Sequence, residues 1–207
     1  MDKQHTAFAI LCGGKSRRMG QDKAFIRLGE ESLLRRLARI GQGFGERLVA
    51  TDERLMAQET GFRLVPDVVK DAGPVGALYS LLSAMESEAV LTLPCDMPFF
   101  PQALVAEMLE AVPEEAQALL LKARSGRVYP LCALLRKSCL PVVQAHAEAG
   151  MLKVMPMMRQ LGAVEMTLPE RFSERALTNL NTPEDLRALA CDPAGGQAPD
   201  DTMREKG

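Results

Sequence analysis

Thr6-Ala-Phe-Ala-Ile-Leu-Cys-Gly-Gly-Lys-Ser-Arg-Arg-Met-Gly-Gln-Asp-Lys23 opens on an apolar run that breaks at Gly13-Gly14 and gives way to cations. An apolar stretch this short, closed by paired glycines, predicts a buried parallel strand running into a loop. The glycines let backbone N–H groups approach phosphate oxygens, while Lys15, Arg17, Arg18 and Lys23 supply positive charge, so the segment has the chemistry of a phosphate cradle. A basic, glycine-rich surface loop is the plainer reading of an isolated Gly-Gly pair. The density of donors and cations directly after the first strand reverses that preference. It is not a Walker A loop, which would need a glycine where Ala9 stands, and it contains no G-x-G-x-x-G.

Working outward, strand-like and helix-like periods alternate. Helices are predicted over Ser32 to Ile40, with Ser32 as N-cap and Gly41 as stop, and over Asp52 to Glu59, Gly76 to Glu86 and Pro101 to Ala111, the last with proline in the first turn. Strands are predicted over Arg47 to Ala50, Arg63 to Val65 and Ala89 to Leu93. Beyond Val112, Ala118 to Lys122 and Val128 to Leu135 flank a Ser125-Gly126 turn and predict an antiparallel pair added to the sheet. Helices at Pro141 to Ala149 and Met151 to Leu161 follow, the second kinked or shortened by Pro156, and its Met151, Met155, Met157 and Met158 read as adaptable core. A last strand, Ala163 to Leu168, precedes a helix start at Thr182-Pro183-Glu184-Asp185.

The fold class expected is therefore α/β: a single-domain, three-layer Rossmann-like arrangement whose mostly parallel sheet carries an antiparallel addition in the C-terminal half. Residues 1–190 form the domain, and from Cys191 onward the polar composition predicts a disordered tail through residue 207.

Composition narrows the function classes. With 207 residues, 47% of them hydrophobic, and a net charge of -2, the chain reads as a globular domain with no general nucleic-acid coat. Leu11 to Arg39 nevertheless holds eight Lys or Arg against Asp22, Glu30 and Glu31, a local surplus of five that leaves -7 for the rest and points to an anionic ligand. Five scattered cysteines without a C-x-x-C pair, and only His5 and His146, speak against a disulfide framework and a Cys/His zinc site. The apolar stretch Ala7 to Cys12 is too short for a signal-peptide core and no apolar run is long enough to span a bilayer, so the default expectation is a reduced cytoplasmic location with no membrane partner.

Parallel sheets bind ligands at the carboxyl ends of their strands. Two loops there carry chemistry, Cys12 to Lys23 and Pro94 to Pro98. Asp96, between Pro94 and Pro98, is either a turn former or, beside a phosphate cradle, a Mg²⁺ ligand, since Mg²⁺ takes one or two carboxylates plus substrate phosphates. Asp67, after Arg63 to Val65, points to the same edge and is a second candidate for base, ribose or metal contact.

Leu11-Cys-Gly-Gly-Lys-Ser-Arg-Arg-Met-Gly-Gln-Asp-Lys23 resembles the L-A-G-G-x-S-x-R-M-G-x-D-K signature of the molybdenum cofactor guanylyltransferases, within the wider nucleotidyltransferase fold. Val65-Pro-Asp67 with Gly73-Pro74, Leu93-Pro-Cys-Asp-Met-Pro98 and Asn179-Leu-Asn-Thr-Pro-Glu-Asp185 agree in order and spacing. The resemblance implies that Leu11, Cys12, Gly13 and Gly14 contact the guanine nucleotide, Lys23 and Arg18 the triphosphate, Thr51 and Asp67 the nucleoside side, and Asp96 both nucleotide and metal. Arg18, Lys23 and Asp96 form the implied catalytic set. Gly73, Pro74, Asn179 and Asn181 are implied on the acceptor side, Asn181 also near the metal. Two departures stand out: Cys12 replaces the usual alanine, and Gly73-Pro-Val-Gly-Ala77 ends in alanine where the family has glycine.

The implied activity is transfer of GMP from MgGTP to molybdopterin with release of pyrophosphate, by a monomer in transient contact with molybdopterin-inserting proteins or apo-molybdoenzymes. An acceptor phosphate oxygen is already anionic, so the lack of a Ser-His or Cys-His constellation is consistent with that reaction. Cytidylyl transfer to the same cofactor, a sugar-1-phosphate nucleotidyltransferase and a catalytically silent nucleotide-binding carrier are the rivals. Lys23 and Asp96 argue against the silent carrier.

Overall fold

The computed structural model of the chain describes residues 1–12, 25–28 and 30–180. In chain order the strands are β1 (Thr6–Leu11), β2 (Arg27–Leu28), β3 (Glu31–Ser32), β4 (Glu46–Ala50), β5 (Arg63–Val65), β6 (Ala89–Pro94), β7 (Ala118–Lys122), β8 (Val128–Arg136) and β9 (Val164–Thr167). The helices are α1 (Leu33–Ile40), α2 (Arg54–Thr60), α3 (Gly73–Ala84), α4 (Gln102–Ala111), α5 (Leu140–Glu148) and α6 (Val154–Gln160).

β1 is buried along its whole length because it lies inside the sheet with helices on both faces. Its side chains alternate, so Phe8 and Ile10 enter one core while Ala7, Ala9 and Leu11 enter the other. The first core is closed by α1, α2 and α4 and the second by α3, α5 and α6, which gives the three expected layers. The sheet order is β5-β4-β1-β6-β8-β7-β9, with β2 and β3 forming a separate short antiparallel pair. β4 and β6 flank β1 in parallel, β5 continues beyond β4, and β9 runs parallel to β7. Among the described strands of the large sheet β8 alone runs against the rest, antiparallel to both β6 and β7. The hairpin predicted around Ser125-Gly126 is thus present, and Gly126 takes the left-handed φ of +89° that its turn needs.

Helix ends explain several boundaries. Ser32 caps α1 as expected, its Oγ accepting from the Arg35 N–H at 3.2 Å and donating to Glu59 at 2.7 Å. Gly41 also ends that helix, but its φ of -73° is an ordinary one. Glycine is needed there because a Cβ would come within 2.6 Å of the Phe8 ring and 2.8 Å of Phe62. α3 begins at Gly73 rather than Gly76, with Pro74 in its first turn, where no intrahelical N–H bond is lost. Pro101 stands in extended backbone before α4 instead of inside its first turn. α6 starts at Val154, three residues later than its period suggests, which places Pro156 in the first turn as well. Met157 and Met158 are buried as predicted, whereas Met151 and Leu152, now outside the helix, are exposed. The short Glu174–Leu177 3₁₀ turn and the β2–β3 pair escaped the sequence reading. The predicted helix start at Thr182 and the tail lie outside the described residues.

Candidate active site

The four parallel strands at one side of the sheet end in register: Val65 opposite Ala50, Ala50 opposite Leu11, and Leu11 opposite Pro94. Their pairing runs one residue further through the backbone bonds Thr51 N–H to Val65 O (3.0 Å), Cys12 N–H to Ala50 O (3.0 Å) and Cys95 N–H to Leu11 O (3.1 Å). Thr51, Cys12 and Cys95 therefore form a row at the carboxyl edge, with Asp67 and Asp96 following two of these strands directly. This is the edge at which such sheets bind ligands.

Thr51 is buried, and its Oγ1 accepts from the Glu53 N–H at 3.1 Å, which holds the turn after β4. Asp67 is half-buried. Burial, and next the Asp52 carboxylate nearby, push its carboxyl above the ordinary range, while Lys70 opposes them. Asp52 itself pairs with Lys70 at 2.7 Å and accepts from the Asp67 backbone N–H at 3.3 Å, so the residue that raises Asp67 also anchors its backbone. The Lys70 bond holds the Asp52 carboxyl below its usual range.

Asp96 sits past the end of β6, where the chain is stiffened by Pro94 and Pro98. A segment far along the chain closes over it: the Asn179 amide donates to Asp96 Oδ2 at 3.3 Å and the Leu180 N–H donates to Asp96 O at 2.8 Å. The buried Leu177 and Leu180 pin that segment to the body of the domain, and Arg124 ties its approach by donating to the carbonyls of Pro169 at 3.1 Å and Phe172 at 3.0 Å. The Asn179 side-chain oxygen is buried and has no hydrogen-bond partner among the described residues.

A cavity of about 260 Å³ opens beside Asp96. Leu11, Cys95, Asp96 and Asn179 line one side, Pro74 and Ala77 at the start of α3 another, and Arg127, Tyr129 and Leu131 at the start of β8 the third. Gly73, at the N-terminus of α3, has a φ of +55° that favours glycine. The expected nucleotide-side residues Leu11, Cys12, Thr51 and Asp67, the expected acceptor-side Pro74 and Asn179, and Asp96 thus converge on one edge. Gly13, Gly14, Arg18, Lys23 and Asn181 lie outside the described residues. The β8 wall was missed by the sequence reading, although the predicted hairpin held the signal. An antiparallel neighbour of β6 must begin where the parallel strands end.

Among the described residues no group of three or more His, Cys, Asp or Glu is arranged to hold a metal ion. The donors present, the half-buried carboxylate of Asp96 and the unpartnered amide oxygen of Asn179, are hard oxygen ligands that suit Mg²⁺ when substrate phosphates complete its shell. Cys132 is no rival nucleophile: its Sγ lies 3.0 Å from the Met97 sulfur, and burial pushes its thiol far above the reactive range. No helix among the described residues is long and apolar enough to cross a membrane.

Residues 8–164 match the family described as MobA-like NTP transferase domain. A protein of Pelotomaculum thermopropionicum named "Probable molybdenum cofactor guanylyltransferase" is 31% identical over 182 residues, which cover 86% of this chain and 88% of that protein. Its namesake in Peptoclostridium acidaminophilum is 32% identical over 188 residues, covering 86% and 85%. Among solved structures, molybdopterin-guanine dinucleotide biosynthesis protein A of Archaeoglobus fulgidus superposes with a TM-score of 0.74 at 20% identity, over 88% of this chain and 95% of that one.

Proposed function

We propose, from the premise that this chain belongs to the MobA-like NTP transferase family, that it transfers GMP from GTP to molybdopterin, forming the guanine dinucleotide cofactor and pyrophosphate. The observation that carries this reading is the position of Asp96. It stands at the end of β6, between the row formed by Cys12, Thr51 and Asp67 and the cavity that opens toward β8.

In the reaction a phosphate oxygen of molybdopterin attacks the α-phosphorus of GTP, a new P–O bond forms, and the bond to the departing pyrophosphate breaks. The nucleophile is anionic from the start, so no side chain has to remove a proton. The remaining requirements are in-line positioning and neutralisation of the charge growing on pyrophosphate. Backbone groups of Leu11 to Gly14 read the base, Thr51 and Asp67 position the nucleoside, and Arg18 and Lys23 neutralise the triphosphate. Asp96 would hold Mg²⁺ with the phosphates, and Asn179 with Asn181 would orient that site and the acceptor. Bound there, Mg²⁺ supplies charge neutralisation across the phosphates. Gly73 and Pro74 shape the acceptor side. In this account residues 1–190 form the catalytic domain of a cytoplasmic monomer, and the product passes to an inserting protein or apo-molybdoenzyme.

Calorimetry tests the base assignment: GTP should bind more tightly than CTP or UTP. Equal affinity, or a preference for CTP, would reject guanylyl transfer and leave the fold assignment intact.

A further inference from the structure

The cavity has a wall that the proposed roles leave unassigned. Arg127 lines it, and among the described residues its guanidinium has no carboxylate within 4.0 Å, whereas Arg35, Arg39, Arg63 and Arg171 each pair with a glutamate. Its contact is the ring of Tyr129, whose centroid lies 5.0 Å away. A cation over a ring face is held there by the ring's electrons, and its N–H groups remain able to bond an oxyanion.

We propose that Arg127, held on Tyr129, binds the phosphate of the acceptor. The inference rests on the guanylyl-transfer reading and deepens it. Position argues for it first. The strand order puts β8 on the opposite side of β6 from β1, β4 and β5, so a nucleotide over Cys12, Thr51 and Asp67 leaves the β8 side to the second reactant. Charge argues for it next. The reaction brings an anionic phosphate against a triphosphate beside the Asp96 carboxylate, and Arg127 is the one cationic side chain among the described residues lining the cavity. Pro130 and Leu131 offer apolar surface beside it for the uncharged body of the same molecule.

The test uses Arg127→Ala, Arg127→Lys and Tyr129→Leu in the full chain, with two readouts: steady-state KM for molybdopterin and for GTP, and direct molybdopterin binding followed by pterin fluorescence. Arg127 is exposed, so its variants should melt as the parent does. Arg127→Ala should raise KM and Kd for molybdopterin by about 10- to 100-fold, the loss typical of a hydrogen bond to a charged group, and leave KM for GTP unchanged. Arg127→Lys should recover part of the affinity, and Tyr129→Leu should lose less than Arg127→Ala. Molybdopterin constants within twofold of the parent in Arg127→Ala, a rise confined to KM for GTP, or a parent that binds no molybdopterin would overturn the proposal. A parent that binds molybdopterin through Arg127 but releases no pyrophosphate from GTP would instead reject guanylyl transfer and keep the subsite.

Discussion

Asn179 reaches across 83 residues of sequence to donate its side-chain amide to Asp96 Oδ2 at 3.3 Å, while the neighbouring Leu180 N–H donates to the Asp96 carbonyl at 2.8 Å. One residue is thereby fixed at both its backbone carbonyl and its carboxylate, and the end of β6 becomes a rigid point between two halves of the sheet edge. Preorganisation of this kind is what a charge-stabilising site requires.

Asp96→Asn keeps the shape of that side chain and removes the charge proposed to hold Mg²⁺ against the phosphates. Turnover should fall by roughly two to three orders of magnitude or more, with a melting temperature close to the parent's. Initial rates at saturating Mg²⁺ decide the matter, and a variant near the parent rate would make Asp96 a turn residue.

Asp67 should trade stability for binding. Because its carboxyl is raised in the folded state, chiefly by burial and then by Asp52, ionising it opposes folding. The penalty is absent below the ordinary carboxylate value, grows as pH rises from that value to the raised one, and is complete above it. Asp67→Asn should therefore melt above the parent at pH 7, with the gap closing as pH falls through the carboxylate range. Its melting temperature should also rise less on adding GTP. A variant less stable than the parent at pH 7 would contradict the sign.

Gly41→Ala should destabilise the domain by about 1–3 kcal/mol, since the new methyl must displace Phe8 or Phe62 in a packed core. Chemical denaturation measures this. Adding Phe8→Leu should recover part of the loss, because the two sites share the same space. Equal losses for the single variants and a purely additive double variant would place the strain elsewhere.

Much of this architecture is legible in local pattern. β1, β5 and β7 occupy the residues their apolar runs predict, and Ser32 caps α1 as its residue type suggests. Asp67 and Asp96 could be placed at one edge because strand direction follows from strand–helix alternation. What local pattern could not supply is tertiary. Gly41 reads only as a helix stop until Phe8 and Phe62 are seen above it. Asn179 meets Asp96 only through the fold. Arg127 and Tyr129 line the cavity because β8 rather than β7 lies against β6, a choice the hairpin pattern alone does not make. Pro156, by contrast, is a local signal: it shortens the helix as its residue type predicts, and α6 starts past Met151.

Lys23 is proposed to matter more to the departing pyrophosphate than to initial binding. If so, Lys23→Ala should lower kcat and kcat/KM together by roughly two to three orders of magnitude, the size seen when one preorganised stabiliser is removed. A raised KM for GTP at unchanged kcat would restrict Lys23 to ground-state binding, and parent-like values for both would return it to the surface.

Guanylyl transfer itself is tested most directly by incubating the enzyme with Mg²⁺, molybdopterin and GTP labelled at the α-phosphate, then following the label and the pyrophosphate. Guanylyl transfer predicts label in a molybdopterin guanine dinucleotide and an equal amount of pyrophosphate, with neither formed when molybdopterin is omitted and far less transfer from CTP or UTP. Label recovered only as GTP or free GMP, or faster transfer from CTP, would contradict it.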